Sequence, residues 1–147
     1  GYPPATAAAC IQLLDHYQVP LQGKHVVVVG RSLVVGKPVS MMLLRRNASV
    51  TICHSKTENL ADIMRSADVV ICATGRARTF GAQFFGPGIN FDTQGNLCGD
   101  VDFAEVEPVV AAITPVPGGI GTVTTSVTMA HTVAAAEAAL AARTGRR

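Results

Sequence analysis

Gly30, Arg31, Ser32 and Gly36 lie between a run of β-branched residues, "HVVVV" at 25–29, and Pro38. A strand, a glycine turn and a helix start, in that order, present a phosphate with free amide N–H groups and the partial positive charge of a helix N-terminus. Gly30 permits the tight turn. Ser32 is small enough for a phosphate to approach and can donate a hydrogen bond. Gly36 lets helix and strand pass closely, and Pro38 suits a first helical turn. The spacing departs from Gly-x-Gly-x-x-Gly: Ser32 stands where the second glycine belongs, Val35 where the third belongs, and Gly36 follows one residue late. Alone, such a turn fits either a dinucleotide or a purely structural role.

The next turn chooses the nucleotide. An NAD site usually has an acid at the end of the second strand, roughly 20 residues past the fingerprint, to hold the ribose 2′-hydroxyl. Here the chain reads "CHSKT" at 53–57, with no acid before Glu58. His54, Ser55 and Lys56, with Arg31 at the neighbouring turn, suit an anion, and the planar fork of arginine suits phosphate oxygens. A 2′-phosphate is the anion that fits, which predicts NADP. The competing assignment has Ser55 (in a capping box with Glu58) or Thr57 capping a helix, with Lys56 and Arg31 solvated. The two roles can coexist at one helix end. "ATG" at 73–75 closes a third apolar run, where Thr74 and Gly75 leave room for a ribose or diphosphate. Pro117, Gly118 and Gly119, within "TPVPGGIGTVT", form either the wall of a binding cleft or a plain connector.

The elements that must position these residues follow from periodicity. Ala7, Cys10, Ile11, Leu14 and Tyr17 recur at helical spacing, and Pro20 ends that helix. "HVVVVG" lacks polar alternation, as does "DVVICATG", so both predict parallel strands buried on two faces. "PVSMMLLRR" predicts a helix, "SVTIC" a strand and "SKTENLADIMRSA" a helix. The resulting βαβαβ unit predicts a Rossmann-like, doubly wound α/β fold, mostly parallel, with helices on both faces of the sheet. Right-handed crossovers predict the first two crossover helices on one face, and strand order 3-2-1 follows if the chain then crosses back over strand one. Beyond it come an irregular stretch with no clean strand before Ile89 and a hairpin or glycine turn in "FDTQGNLCGDV". A helix in "DFAEVEPVV" limited by Pro108, a short strand "AAIT", and a long alanine-rich helix from Thr124 to Arg143 complete the chain.

Bulk properties exclude several classes. With 147 residues the chain fits one domain, and 48% hydrophobic with 15% charged residues excludes disorder. A net charge of +2 without a basic, aromatic-interleaved stripe argues against nucleic acid, and the basic "ARTGRR" end fits a solvated tail. Cys10, Cys53, Cys72 and Cys98 lack Cys-x-x-Cys spacing and predict buried, reduced thiols of a cytosolic protein. The four histidines are scattered, which predicts no metal site. There is no signal-peptide pattern, and His131 and Glu137 interrupt the alanine-rich stretch too much for a membrane span.

"GKHVVVVGRSLVVGKP", "TICHSKT", "ADVVICATG" and "ITPVPGGIGTVT", in this order and register, resemble the bifunctional methylenetetrahydrofolate dehydrogenase/methenyltetrahydrofolate cyclohydrolase family. "PATAAACIQLL" resembles the segment leading from that family's first domain into its cofactor domain. The resemblance implies a cytosolic, homodimeric one-carbon enzyme. It oxidises 5,10-methylene-tetrahydrofolate with NADP and hydrolyses the methenyl product to 10-formyl-tetrahydrofolate. It assigns Gly30, Arg31 and Ser32 to NADP, His54 and Ser55 to the 2′-phosphate, and Gly88, Ile89 and Asn90 to the nicotinamide side. It assigns Pro117, Gly118 and Gly119 to a cleft shared by folate and nicotinamide.

Two departures qualify the resemblance. The family's Tyr-x-x-x-Lys motif, whose lysine serves the cyclohydrolase step, has no counterpart here: Tyr2, Lys24 and Lys37 do not fit it. No catalytic residue is therefore transferred. Residues 1–147 are read as a single NADP-binding domain, with 1–20 leading in from an N-terminal catalytic domain. Between Gly88 and Ile89 the family also carries an apolar strand ending in Asp-x-Gly, and the chain is short by roughly seven residues, about one strand. That strand would be the fourth, beside strand one, and its loss should leave strand one unpaired on one side. The native chain is therefore expected to be longer at this point. Two other readings remain open on the residues. One is a nucleotide-binding regulatory module without chemistry of its own. The other, a different NADP dehydrogenase, is disfavoured by the Pro-Val-Pro-Gly-Gly loop.

Overall fold

In the computed structural model, residues 1–92 and 99–145 are described, apart from the side chains of Asn90 and Asp92. The elements in chain order are α1 (Ala5–His16), β1 (His25–Val29), α2 (Gly36–Leu44), β2 (Ser49–Cys53), α3 (Leu60–Arg65) and β3 (Val69–Cys72). A 3-10 turn (Ala82–Phe84), β4 (Ile89–Asp92), α4 (Phe103–Val106), a second 3-10 turn (Glu107–Val109), β5 (Ala112–Ile113) and α5 (Ile120–Thr144) follow.

The continuous β-branched runs become the centre of a parallel sheet, as their lack of polar alternation predicts. Val26 and Val28 of β1 point to one face, with Val69, Ile71 and Phe91. There they meet Leu14 of α1, Val39 and Leu43 of α2, and Ile120 and Val127 of α5. Val27 and Val29 point to the other face, with Val70 and Cys72, against Met64 of α3, Phe80, Phe85 and Val106 of α4. Helices therefore cover both faces.

The strand order is β2-β1-β3-β4-β5, not 3-2-1. β1 pairs in parallel with β2 through Val27↔Thr51 and with β3 through Val27↔Val70. The second crossover therefore steps back over β1 and adds β3 to its far side. A right-handed return in the opposite direction puts its helix on the opposite face. This corrects the expectation of two crossover helices on one face: α2 lies on one side and α3 on the other. It also corrects the expectation of an open strand one. β1 has a partner on each side, and Ile89–Asp92 itself pairs with β3.

Element ends shift for local reasons. α1 stops at His16, so Tyr17 falls off the apolar stripe and is 69% exposed. α2 begins at Gly36, which places Pro38 third in the helix, still within the turn that has no intrahelical donor to lose. α5 begins four residues before Thr124, because buried Ile120 anchors its first turn to the core. Pro108 does limit its helix: α4 ends at Val106 and passes into the 3-10 turn. The "AAIT" strand is β5. The hairpin or turn predicted in "FDTQGNLCGDV" lies largely outside the described residues, as does Cys98.

No disulfide links Cys10, Cys53 or Cys72, and all three are buried. Burial pushes the Cys10 thiol up to about 12. Burial also raises Cys53, against a hydrogen bond with Thr57 that lowers it. Thiols held protonated in this way are poor nucleophiles. Among the described residues no helix is long and apolar enough to cross a membrane, and no three metal-ligating side chains cluster.

Candidate functional site

In a sheet ordered 2-1-3-4-5, the crevice for a ligand opens beyond the carboxyl ends of β1 and β3, where successive connections leave on opposite faces. A cavity of about 340 Å³ lies there. The end of β1 contributes Gly30, Arg31 and Ser32, the end of β2 His54 and Ser55, and the end of β3 Thr74 and Arg76. Six of the residues singled out from sequence thus meet at one site. Gly36, Pro38 and Gly75 do not line it.

Gly30 is required by its geometry. Its φ is +129°, and a Cβ there would strike the carbonyl of Ala73 at the end of β3. A Cβ at Gly36 would strike the Gly30 carbonyl, so the two glycines let the helix start close over the turn. The Ser32 hydroxyl oxygen accepts from the amides of Val35 (3.1 Å) and Gly36 (3.4 Å). This closes the loop onto the start of α2 and leaves the hydroxyl proton available to a ligand oxygen.

After β2 the chain makes a compact turn rather than a helix. The His54 amide donates to Thr57 Oγ1 (2.9 Å) and the Thr57 amide to the His54 carbonyl (2.9 Å). α3 begins only at Leu60, preceded by Asn59 in a left-handed conformation, φ 53°, with no side-chain cap. The predicted capping box of Ser55 and Glu58 is therefore not formed, and Thr57 closes a turn instead of capping a helix. The Lys56 amide donates to His54 Nδ1 (3.2 Å). That places the proton of a neutral ring on Nε2, which can donate to an anion.

The third turn is held from below by a residue that sequence reasoning missed. Asp100 is completely buried. Its Oδ2 accepts from the Thr74 amide (2.6 Å), the Thr74 hydroxyl (2.9 Å) and the Gly75 amide (3.3 Å). Its other oxygen has no partner among the described residues. The available signal was an acid inside an otherwise apolar and glycine segment, "LCGDV". Nothing local tied it to Thr74.

Pro117, Gly118 and Gly119 line a second cavity, of about 650 Å³, with Thr6 of α1 and Thr122, Thr124 and Thr125 of α5. Ile89 lines a third, apolar cavity of about 480 Å³, which also takes in Gly118 and Gly119. Neither shares a lining residue with the cavity at Gly30. The candidate residues thus fall into two groups, one around the β1–β3 turns and one around the loop before α5.

Residues 4–140 match the model of the tetrahydrofolate dehydrogenase/cyclohydrolase family, NAD(P)-binding domain. The chain belongs to this family. A relative in Carboxydothermus hydrogenoformans, the bifunctional protein FolD, is 51% identical over 93% of the chain and 51% of its own length. The crystal structure of the bifunctional enzyme FolD, a methylenetetrahydrofolate dehydrogenase/cyclohydrolase from Campylobacter jejuni, superposes with a TM-score of 0.88 at 37% identity. It covers 93% of this chain and 51% of that one. The Trypanosoma brucei enzyme, solved with NADP cofactor and inhibitor, gives 0.84 at 35% identity, covering 89% and 49%. The chain thus spans about half the length of the relatives it matches. An NAD(P)-binding domain of this family needs a turn that admits a diphosphate. The Ser32 hydroxyl, whose oxygen accepts from Val35 and Gly36, keeps its proton for such a ligand.

Proposed function

We propose that this chain is the NADP-binding half of an enzyme that oxidises 5,10-methylene-tetrahydrofolate to the 5,10-methenyl form and hydrolyses that to 10-formyl-tetrahydrofolate. The cavity beyond β1, β2 and β3 carries the reading. Its described lining holds Arg31, His54 and Arg76 and no carboxylate. A cavity so lined favours an extra phosphate over the bare ribose hydroxyl that an acid would select. The relative solved with NADP supports the same choice.

In this reading the Gly30–Ser32 turn receives the diphosphate, while Arg31, His54 and Ser55 receive the 2′-phosphate. Thr74 and Gly75 border the ribose, and Gly36 and Pro38 set the start of α2 behind the turn. When bound, NADP supplies the acceptor for the hydride leaving the folate. Ser32 donates its remaining proton, and His54 donates from Nε2. Pro117, Gly118 and Gly119, with Ile89 beside them, form the wall facing folate and nicotinamide. The hydrolytic step is assigned to residues in the half of the relatives' length that this chain does not match. The reading includes a cytosolic homodimer, which sedimentation of the full-length protein tests; a monomer at micromolar concentration would refute it. It also includes a longer native segment between Gly88 and Ile89. Peptide mapping that finds these two residues directly joined refutes that part.

Calorimetric titration is expected to show NADP binding more tightly than NAD, and equal affinities would remove the reading's basis. Arg31→Ala is expected to weaken NADP selectively by about 1.5–3 kcal/mol, the range for a hydrogen bond to a charged group. An unchanged NADP affinity would show Arg31 to be solvated.

A further inference from the structure

We propose that Arg76 is a second specificity-determining residue, closing on the 2′-phosphate from the side opposite His54 and Ser55. The inference rests on the NADP assignment above. In the order β2-β1-β3, Arg31 follows the middle strand. His54 and Ser55 stand after the strand on one side of it and Arg76 after the strand on the other, and all line one cavity. Two arginines and a histidine bordering a space without a carboxylate in its described lining make a pocket suited to a dianion.

The backbone of Arg76 is fixed at both of its polar groups. Its amide donates to Thr74 Oγ1 (3.3 Å), and its carbonyl accepts from Thr79 Oγ1 (2.8 Å). Thr74 is in turn bound through its amide and hydroxyl to the buried Oδ2 of Asp100. A short chain of hydrogen bonds therefore runs from the core to the arginine, and the side chain leaves a preorganised turn rather than a free loop. Neither arginine is spent elsewhere: the ion pairs among the described residues are Arg46–Asp15 and Arg65–Asp62, and none of these four residues lines the cavity.

The test isolates the 2′-phosphate by comparing adenosine 2′,5′-bisphosphate with 5′-AMP on the full-length protein, by calorimetry at fixed ionic strength. The wild type is expected to prefer the bisphosphate. Arg76→Ala is expected to reduce that preference about tenfold or more, the lower end for one charged hydrogen bond. Affinity for 5′-AMP should stay unchanged, and Arg76→Lys should retain part of the preference. If Arg31→Ala loses the preference and Arg76→Ala keeps it, the inference falls while the NADP reading stands. If Arg76→Ala weakens both ligands equally, its role is the shape of the turn and the inference falls. A wild type without preference for the bisphosphate overturns the NADP reading and this inference with it.

Discussion

Asp100→Ala is expected to destabilise the protein by about 3–5 kcal/mol, because one buried carboxylate oxygen satisfies three donors. Removing it strands the Thr74 amide, the Thr74 hydroxyl and the Gly75 amide at the end of β3. An unpaired buried polar group costs about 1–3 kcal/mol. Thr74 is half-buried and Gly75 exposed, so water recovers some of that loss. For a chain of this size each kcal/mol moves Tm by about 2–4 °C, so the midpoint should fall on the order of 10 °C. Asp100→Asn keeps an acceptor oxygen for the same amides and should cost clearly less. Denaturant titration followed by circular dichroism measures both variants. A loss below about 1 kcal/mol for Asp100→Ala would show the β3 turn to be held by something else.

Gly30→Val is expected to destabilise by about 2–5 kcal/mol and to abolish dinucleotide binding. Two costs add. A β-branched residue at φ +129° carries backbone strain of order 1–3 kcal/mol. Its Cβ also meets the Ala73 carbonyl, an overpacking cost of about 1–3 kcal/mol. The neighbours cannot retreat cheaply. The Gly30 amide donates to the Cys53 carbonyl (2.9 Å) and the Ala73 amide to the Val29 carbonyl (2.8 Å), so moving the turn unpairs β1 from both flanking strands. Gly30→Ala, with the same strain and a smaller side chain, should fall between wild type and Gly30→Val. Thermal unfolding and NADP titration read the two effects separately. A folded Gly30→Val variant of wild-type stability would mean that the turn has another conformation available.

Much of the fold is legible locally. The β-branched runs at 26–29 and 69–71 specify buried parallel strands, because no polar residue interrupts them to face solvent. The positions of α1, α2, α3 and α5 are read from the sequence, with starts displaced at α5, where buried Ile120 anchors the first turn, and at α3, where left-handed Asn59 precedes it. The site is legible in part for the same reason. Gly30, Arg31 and Ser32, and His54 and Ser55, sit immediately after strands, and a parallel sheet brings the carboxyl ends of its strands to one edge.

By itself the sequence determined the types of most elements, though not strand β4, the chemistry offered at the ends of β1, β2 and β3 and the absence of an acid after β2. These depend on residues within a few positions of one another. Only the tertiary structure decided the strand order, the face each helix covers, the separation of the Pro117–Gly119 cavity from the Gly30 cavity, and the role of Asp100. β1 and β3, buried on both faces, present the same apolar surface to any neighbour, so nothing local in them says which lies beside β2. That choice is made by the crossover connections and by packing on both faces of the sheet. Asp100 lies 26 residues from Thr74, and its carboxylate meets that amide only once β3 and the segment after β4 have been brought together in the folded sheet.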